Sequence, residues 1–258
     1  MKNLGVIVSI FISLVCIPPA SAEKNYDWGE ALLADSAGRI TPPNYRAIRI
    51  LFQQSLDAGY IPANGKLGDI YQHGYGVKAS PEKAFSYYQA GAAGRDAYSM
   101  FRLGVAYEEG AGTPGDVVKG RQYIDDALAI FLQQAAAGDA QSQFFVGMQY
   151  IAGRYLPQSD QKALALFSKA AAQNHRASLL VMGKHYNSEV DDIGQATEYY
   201  NKAIVQGEFQ AYVDLGAYYF YIDPVKSRKF FQKGCDHDIA LACKNLTAVD
   251  EYIVRRTE

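Results

Sequence analysis

The sequence predicts an all-α fold, an α/α solenoid of stacked helix pairs, and three observations support this prediction. A block with an apolar residue, then glycine, then tyrosine three residues later recurs along the chain. A second pattern, a small residue followed four residues later by an aromatic one, recurs between these blocks. Both patterns return every 31 to 43 residues, and periods of this length are typical of solenoids.

The first 22 residues have the features of a signal peptide. Lys2 precedes an apolar run at residues 4–17, and residues 20–22, Ala-Ser-Ala, have the small-x-small pattern that signal peptidase recognises. The apolar run is too short for a membrane-spanning helix. We therefore expect cleavage before Glu23, no membrane insertion afterwards, and a periplasmic or secreted protein.

An alternative interpretation makes the chain a lipoprotein that is lipidated on Cys16. Val15, the preceding residue, is larger than that processing site normally accepts. Signal-peptide cleavage is therefore the favoured prediction.

Residues 23–44 precede the first clear repeat and are predicted to form an N-terminal capping segment. The stretch YDWGEALLAD within this segment is compatible with an unpaired helix. Trp28, the only tryptophan of the chain, would then cover the exposed end of the first repeat.

Residues 45–247 are predicted to form the solenoid, with five to six helix pairs, and residues 248–258 a C-terminal tail. The first helix of each pair carries a glycine column: Gly68, Gly104, Gly147, Gly183 and Gly216. The second helix carries an aromatic column: Tyr88, Phe131, Phe167, Tyr200 and Phe231, with Phe52 one period upstream. Because glycine costs a helix about 1 kcal/mol relative to alanine, we infer that its missing side chain lets the second helix approach closely. Neither helix can bury its apolar face alone, so stacking must supply the core.

These residues resemble the Sel-1-like repeat, a relative of the tetratricopeptide repeat that is built from helix pairs. The most complete copy is ANGKLGDIYQHGYGVKASPEKAFSYYQAGAAG, and the resemblance covers residues 45–247. The second repeat departs from the pattern because it carries seven extra residues around TPGDVVKGRQY, which we expect to form a longer loop.

Two cysteines, Cys235 and Cys243, remain after the predicted cleavage. An even count in an oxidising compartment indicates a disulfide, with two buried free thiols as the alternative. The spacing of these cysteines is similar to that of the cysteine-rich secreted branch of the family, in which each repeat closes its own helix pair with a disulfide.

Composition and motifs argue against nucleic-acid binding and catalysis. With 25 basic and 27 acidic residues, the chain has no strongly basic surface of the kind that nucleic acid requires. Ser80 is expected to cap a helix before Pro81 rather than to act as a nucleophile. The histidines fall in separate repeats without a metal-ligand or triad context: His73, His175, His185 and His237. We therefore predict a non-enzymatic protein with no metal site, no cofactor and no nucleic-acid partner.

The first helices of such a solenoid are expected to line a concave surface. By analogy with the tetratricopeptide repeat, the residues three before and one after each glycine should face this groove. The predicted partner-binding residues are Phe101, Val105, Phe144, Met148, Leu180 and Lys184. We expect Phe101 and Phe144 to lie side by side there. The alternative is that helices pack over these positions and leave a shallow groove.

The resemblance implies a protein or peptide partner. Roles known for the family include adaptors, virulence-associated binders and immunity proteins that neutralise secreted toxins. The alternative function is the penicillin-binding or β-lactamase-like activity attributed to the cysteine-rich branch, which is weakened here because the mature chain keeps one cysteine pair.

Overall fold

The computed structural model describes residues 22–35 and 43–257, and these residues form thirteen α-helices. The helices are α1 (Ala22–Asp35), α2 (Tyr45–Asp57), α3 (Ala63–His73), α4 (Pro81–Ala93), α5 (Ala97–Glu109), α6 (Val117–Ala136), α7 (Ala140–Ala152), α8 (Asp160–Ala172), α9 (Arg176–Ser188), α10 (Ile193–Val205), α11 (Ala211–Tyr219), α12 (Pro224–Asp236) and α13 (Ala240–Thr257). The predicted signal peptide lies outside the described residues, apart from Ala22.

Twelve of these helices form six consecutive pairs, from α1 with α2 to α11 with α12, and α13 packs on the last pair. Within residues 22–35 and 43–257, the first helices α3 and α5, and likewise α9 and α11, approach each other more closely than any two consecutive second helices do. The first helices therefore lie on the inner side of the stack. The predicted all-α solenoid is confirmed.

The glycine column packs against the aromatic column in most repeats. At Gly147, an added Cβ would lie 2.6 Å from the ring of Phe167, which is 1% exposed. The same contact joins Gly68 to Tyr88, Gly183 to Tyr200 and Gly216 to Phe231. In these repeats the absent side chain is what allows the two helices of a pair to touch.

The second repeat differs from the prediction in both its insertion and its aromatic partner. Gly104 packs on Ile124 and on the backbone of Gly120, whereas Phe131 stacks on Phe145 of the next repeat with ring centroids 4.0 Å apart. The seven extra residues lengthen the second helix instead of the loop, because α6 has 20 residues and α4 has 13. Seven residues are nearly two helical turns, so Phe131 lies on the same face of α6 as Ile124.

The N-terminal helix α1 is paired rather than unpaired, which corrects the predicted capping segment. An added Cβ at Gly29 would lie 2.8 Å from the ring of Phe52, so Gly29 extends the glycine column by one repeat. Tyr26 also packs on Phe52, with centroids 5.5 Å apart. Trp28 does not cover the stack, since it is 41% exposed and lies beside Lys24 of the same helix.

The C-terminal end is also more ordered than the sequence indicated. Residues 248–257 continue α13, and Val249 is fully buried, so a separate tail is not present there. A disulfide joins Cys235 at the end of α12 to Cys243 in α13, which confirms the predicted pairing.

Many of the helices begin at a side-chain cap, whereas α3 and α11 have no such cap. Ser80 accepts a hydrogen bond from the backbone N–H of Lys83 at 3.3 Å, as predicted for a cap before Pro81. In the inner helices α5, α7 and α9, the caps are Asp96, Asp139 and His175, all in the same extended backbone conformation.

Reduction of the disulfide is expected to lower the free energy of unfolding by about 2–3 kcal/mol, because the bond closes a short loop in the unfolded chain. Urea unfolding of the protein with and without reductant measures this difference. The Cys235→Ser, Cys243→Ser double variant is the control and should not respond to reductant. Two titratable thiols in the oxidised, denatured protein would contradict the pairing.

Candidate partner-binding surface

Consecutive first helices contact one another through one recurring pair of positions. The residue after the glycine of one repeat faces the residue two before the glycine of the next, and we call these pairs the inner ladder. Three of its pairs are ion pairs: Glu30 with Lys66 (3.0 Å), Asp69 with Arg102 (2.9 Å) and Lys184 with Asp214 (3.7 Å). The inner ladder is therefore charged towards both of its ends.

The middle of the inner ladder is apolar. The ladder positions hold Val105 and Phe145 on α5 and α7, and Met148 and Val181 on α7 and α9. Met148 is 41% exposed, and Ile151, three residues later on the same face of α7, is also 41% exposed. We call these two side chains, together with half-buried Val105 on α5 and Leu180 on α9, the apolar centre.

Phe101 does not belong to this surface, contrary to the prediction. It is 7% exposed and lies under Phe145 and Tyr155 of the following repeat, with ring centroids 5.1 and 5.3 Å away. Phe144 is half-buried and packs on Phe167 and His175. The predicted side-by-side aromatic pair is therefore wrong, because the next repeat covers Phe101.

A buried carboxylate explains why Tyr155 covers Phe101. The Glu108 side chain is 6% exposed and pairs with Arg121 at 2.6 Å and Arg154 at 3.0 Å. It also accepts a hydrogen bond from the Tyr155 hydroxyl at 2.9 Å. Burial, and then this bond, raise the pKa of Tyr155 to about 12, so the hydroxyl remains a donor at neutral pH. Glu108 thus holds the turn after α7 against α5.

The N-terminal flank of the apolar centre is a saturated polar network. Asp69 accepts hydrogen bonds from Tyr88 at 2.8 Å and Tyr98 at 2.6 Å, and it pairs with Arg102. Burial and the Asp69 charge raise the pKa of Tyr88, which keeps this hydroxyl protonated. These contacts fix α3 against α5 and leave Asp69 few free lone pairs for a partner.

The C-terminal flank is looser. The Lys184 side chain is 51% exposed, and its ammonium group lies 3.7 Å from the carboxylate of Asp214. Burial raises the pKa of Asp214, and the charge of Lys184 opposes this shift. Lys184, one of the predicted binding residues, is therefore accessible to a partner at the edge of the apolar centre.

Two columns of the first helices have different surroundings. In the column three before the glycine, Gly65, Phe101 and Val213 are buried. In the column one after it, Met148 and Lys184 are exposed. The position two before the glycine was not predicted from sequence to lie at this surface. A detectable signal existed, because this residue and the residue after the glycine of the preceding repeat carry opposite charges in three cases. Ile151 was also missed, because the position four after the glycine holds a different residue type in each repeat.

Residues 22–35 and 43–257 contain neither a metal-binding cluster nor a membrane-spanning helix. No group of three or more His, Cys, Asp or Glu side chains there could hold a metal ion. In the same part of the chain, no helix has the length and apolar character to cross a membrane.

Comparison with known proteins identifies the repeats. The Sel1 repeat model matches residues 61–96, 97–125, 140–175, 182–207 and 210–239. An uncharacterized protein of Neisseria meningitidis serogroup B is 27% identical over 198 residues, which cover 76% of this chain and 40% of that protein. The chain spans less than half of the length of the curated relatives that it matches.

Two solved structures share the fold. A Sel1 repeat protein from Oxalobacter formigenes has a TM-score of 0.53 at 21% identity, covering 87% of this chain and 89% of its own. Immunity protein Pa5087 from Pseudomonas aeruginosa has a TM-score of 0.55 at 20% identity, covering 88% of this chain and 86% of its own. Since the family model matches more than half of the chain in five successive repeats, the chain belongs to the Sel1 repeat family.

Proposed function

We propose that this chain is an exported, non-enzymatic protein that binds a protein or peptide partner at the apolar centre. The observation that carries this proposal is the exposure of Met148 and Ile151 on successive turns of α7, between the ion pairs of the inner ladder. Protein interfaces concentrate their binding energy in a few apolar anchors inside a polar rim. The apolar centre and its charged flanks have this arrangement.

Two observations support export. The N-terminal 22 residues have the pattern of a cleavable signal peptide. The disulfide between Cys235 and Cys243 is of a kind that persists in oxidising compartments and is rare in the cytosol.

Among the roles that the family offers, we propose that of an immunity protein against a secreted toxin, ahead of an adaptor or a virulence-associated binder. The fold shared with the Pseudomonas aeruginosa immunity protein over 88% of this chain supports this choice. Neutralising a toxin requires a tight, preformed surface and no chemistry. The hydrogen-bonded network around Asp69 and the ion pairs of Glu108 support such a preformed arrangement of the inner helices.

The Met148→Ala, Ile151→Ala double variant is expected to bind its partner about 100-fold more weakly, because truncated interface anchors typically cost 2 kcal/mol or more. The partner is captured from host extract on the immobilised mature chain, identified by mass spectrometry and purified, and its Kd is then measured by calorimetry. Val117→Ala with Val118→Ala is the matched control, since both valines are exposed on α6, a second helix.

Equal losses in the two double variants, or unchanged binding in the first, would place the interface elsewhere. If the partner is a toxin, co-expression of the wild-type chain should protect cells and the Met148→Ala, Ile151→Ala variant should not. Hydrolysis of nitrocefin by the purified protein would overturn the non-enzymatic part of the proposal.

A further inference from the structure

His175 caps helix α9 at a position where the two preceding inner helices use aspartate. The backbone angles of Asp96, Asp139 and His175 agree within a few degrees, with φ of −69°, −65° and −65° and ψ of 116°, 116° and 114°. In Asp96 and Asp139, a carboxylate oxygen accepts a hydrogen bond from the backbone N–H three residues later. In α9 the Nδ1 atom of His175 takes this role and accepts from the N–H of Ser178 at 3.3 Å.

The contacts of the imidazole require its neutral form. The Nε2 atom lies 3.1 Å from the side-chain oxygen of Gln141, so Nε2 carries the proton and Nδ1 is the acceptor. A second proton would sit on Nδ1 and face the Ser178 N–H. The Ser178 hydroxyl, 2.9 Å from Nδ1, could accept that proton's hydrogen bond, but the backbone N–H would lose its acceptor. The new positive charge would also lie at the positive end of the helix dipole.

The surroundings of His175 oppose protonation as well. Burial lowers the pKa of His175 from 6.5, and the charge of Arg176 on the same helix adds to this shift. Asp139, at the start of α7, acts in the opposite direction but does not cancel it. The unfolded imidazole therefore takes up a proton at a higher pH than the folded one. The stability that the cap contributes is complete above about pH 6.5 and is lost as the pH falls below that value.

We propose that protonation of His175 at mildly acidic pH destabilises the first turn of α9 and makes the centre of the solenoid pH-sensitive. Phe144 packs on the His175 ring from α7, with centroids 5.0 Å apart, so the change also reaches the contact between these two inner helices. Helix α9 carries Leu180 and Lys184, so acidification weakens the C-terminal side of the apolar centre. This pH response belongs to the folded chain itself and does not depend on whether that surface binds a partner.

His175→Asn tests the proposal in the mature protein, because asparagine is an equally good helix cap that does not titrate. Amide hydrogen exchange at residues 176–179 is compared between pH 7.5 and pH 5.0, after correction for the intrinsic exchange rate. Wild-type protection is expected to fall about five- to tenfold, the size of effect that loss of one cap produces, whereas protection in the variant stays constant. An NMR titration of the wild-type imidazole should give a midpoint below 6.5.

The quantity compared between wild type and variant is the change in protection between pH 7.5 and pH 5.0. A constant effect of asparagine on the stability of α9 therefore does not affect the result. The same pH-dependent loss in His175→Asn would overturn the proposal. A His175 midpoint at or above 6.5 would overturn it as well.

Discussion

Replacing Phe101 with alanine is expected to lower the free energy of unfolding by about 3–5 kcal/mol, as is typical when a buried phenylalanine is truncated. The ring is 7% exposed and makes edge-to-face contacts with Phe145 and Tyr155. Its removal would leave a cavity between two repeats. The surrounding helices cannot collapse into this cavity freely, because Glu108 fixes the turn that carries Tyr155.

Urea unfolding followed by circular dichroism measures this loss. Met148→Ala is the control, since Met148 is 41% exposed and its truncation should cost less than about 1 kcal/mol. If Phe101→Ala left stability unchanged and reduced partner binding, Phe101 would be the exposed anchor that the sequence predicted, and the core assignment would be wrong.

Leucine at Gly147 is expected to lower the free energy of unfolding by about 3 kcal/mol through overpacking. Its Cβ alone would lie 2.6 Å from Phe167, and that ring is 1% exposed and has no open space to enter. Because leucine is a better helix former than glycine, intrinsic propensity predicts the opposite sign. A loss of stability therefore reports the contact between α7 and α8.

Gly115→Leu is the matched control for this substitution. Gly115 lies in the exposed loop before α6, and the atoms nearest to an added Cβ are 3.7 Å away or more. Its replacement should change stability by less than about 0.5 kcal/mol. Equal effects at the two glycines would show that Gly147 is not at a helix contact.

The glycine column could be predicted from sequence because close helix approach excludes every other side chain. Helix α1 was missed because its copy is weak. It has Leu32 where the repeat has tyrosine, and Lys24 where the repeat has a small residue five before the glycine. Only contact with Phe52 in three dimensions reveals that Gly29 belongs to the column.

The candidate surface was harder to predict than the fold. Burial at the position three before the glycine depends on what the next repeat places over it, and a consensus does not contain that information. Phe101 and Phe144 occupy equivalent positions, but Tyr155 covers the first ring while the second remains half-buried. Met148 and Lys184, which each follow the glycine of a first helix, are exposed as the sequence predicted, and their role in binding stays a prediction.

The length of α6 shows how this type of array can change without losing its packing. An insertion of seven residues rotates the downstream part of a helix by only about 20° and advances it by about 10 Å. Phe131 therefore emerges on the side of α7 and reaches Phe145. An insertion of five residues would rotate the same ring by about 140° and point it away. Second helices of such arrays should accordingly accept heptad-length additions during evolution or engineering, and each addition would provide new contact area at one edge of the stack.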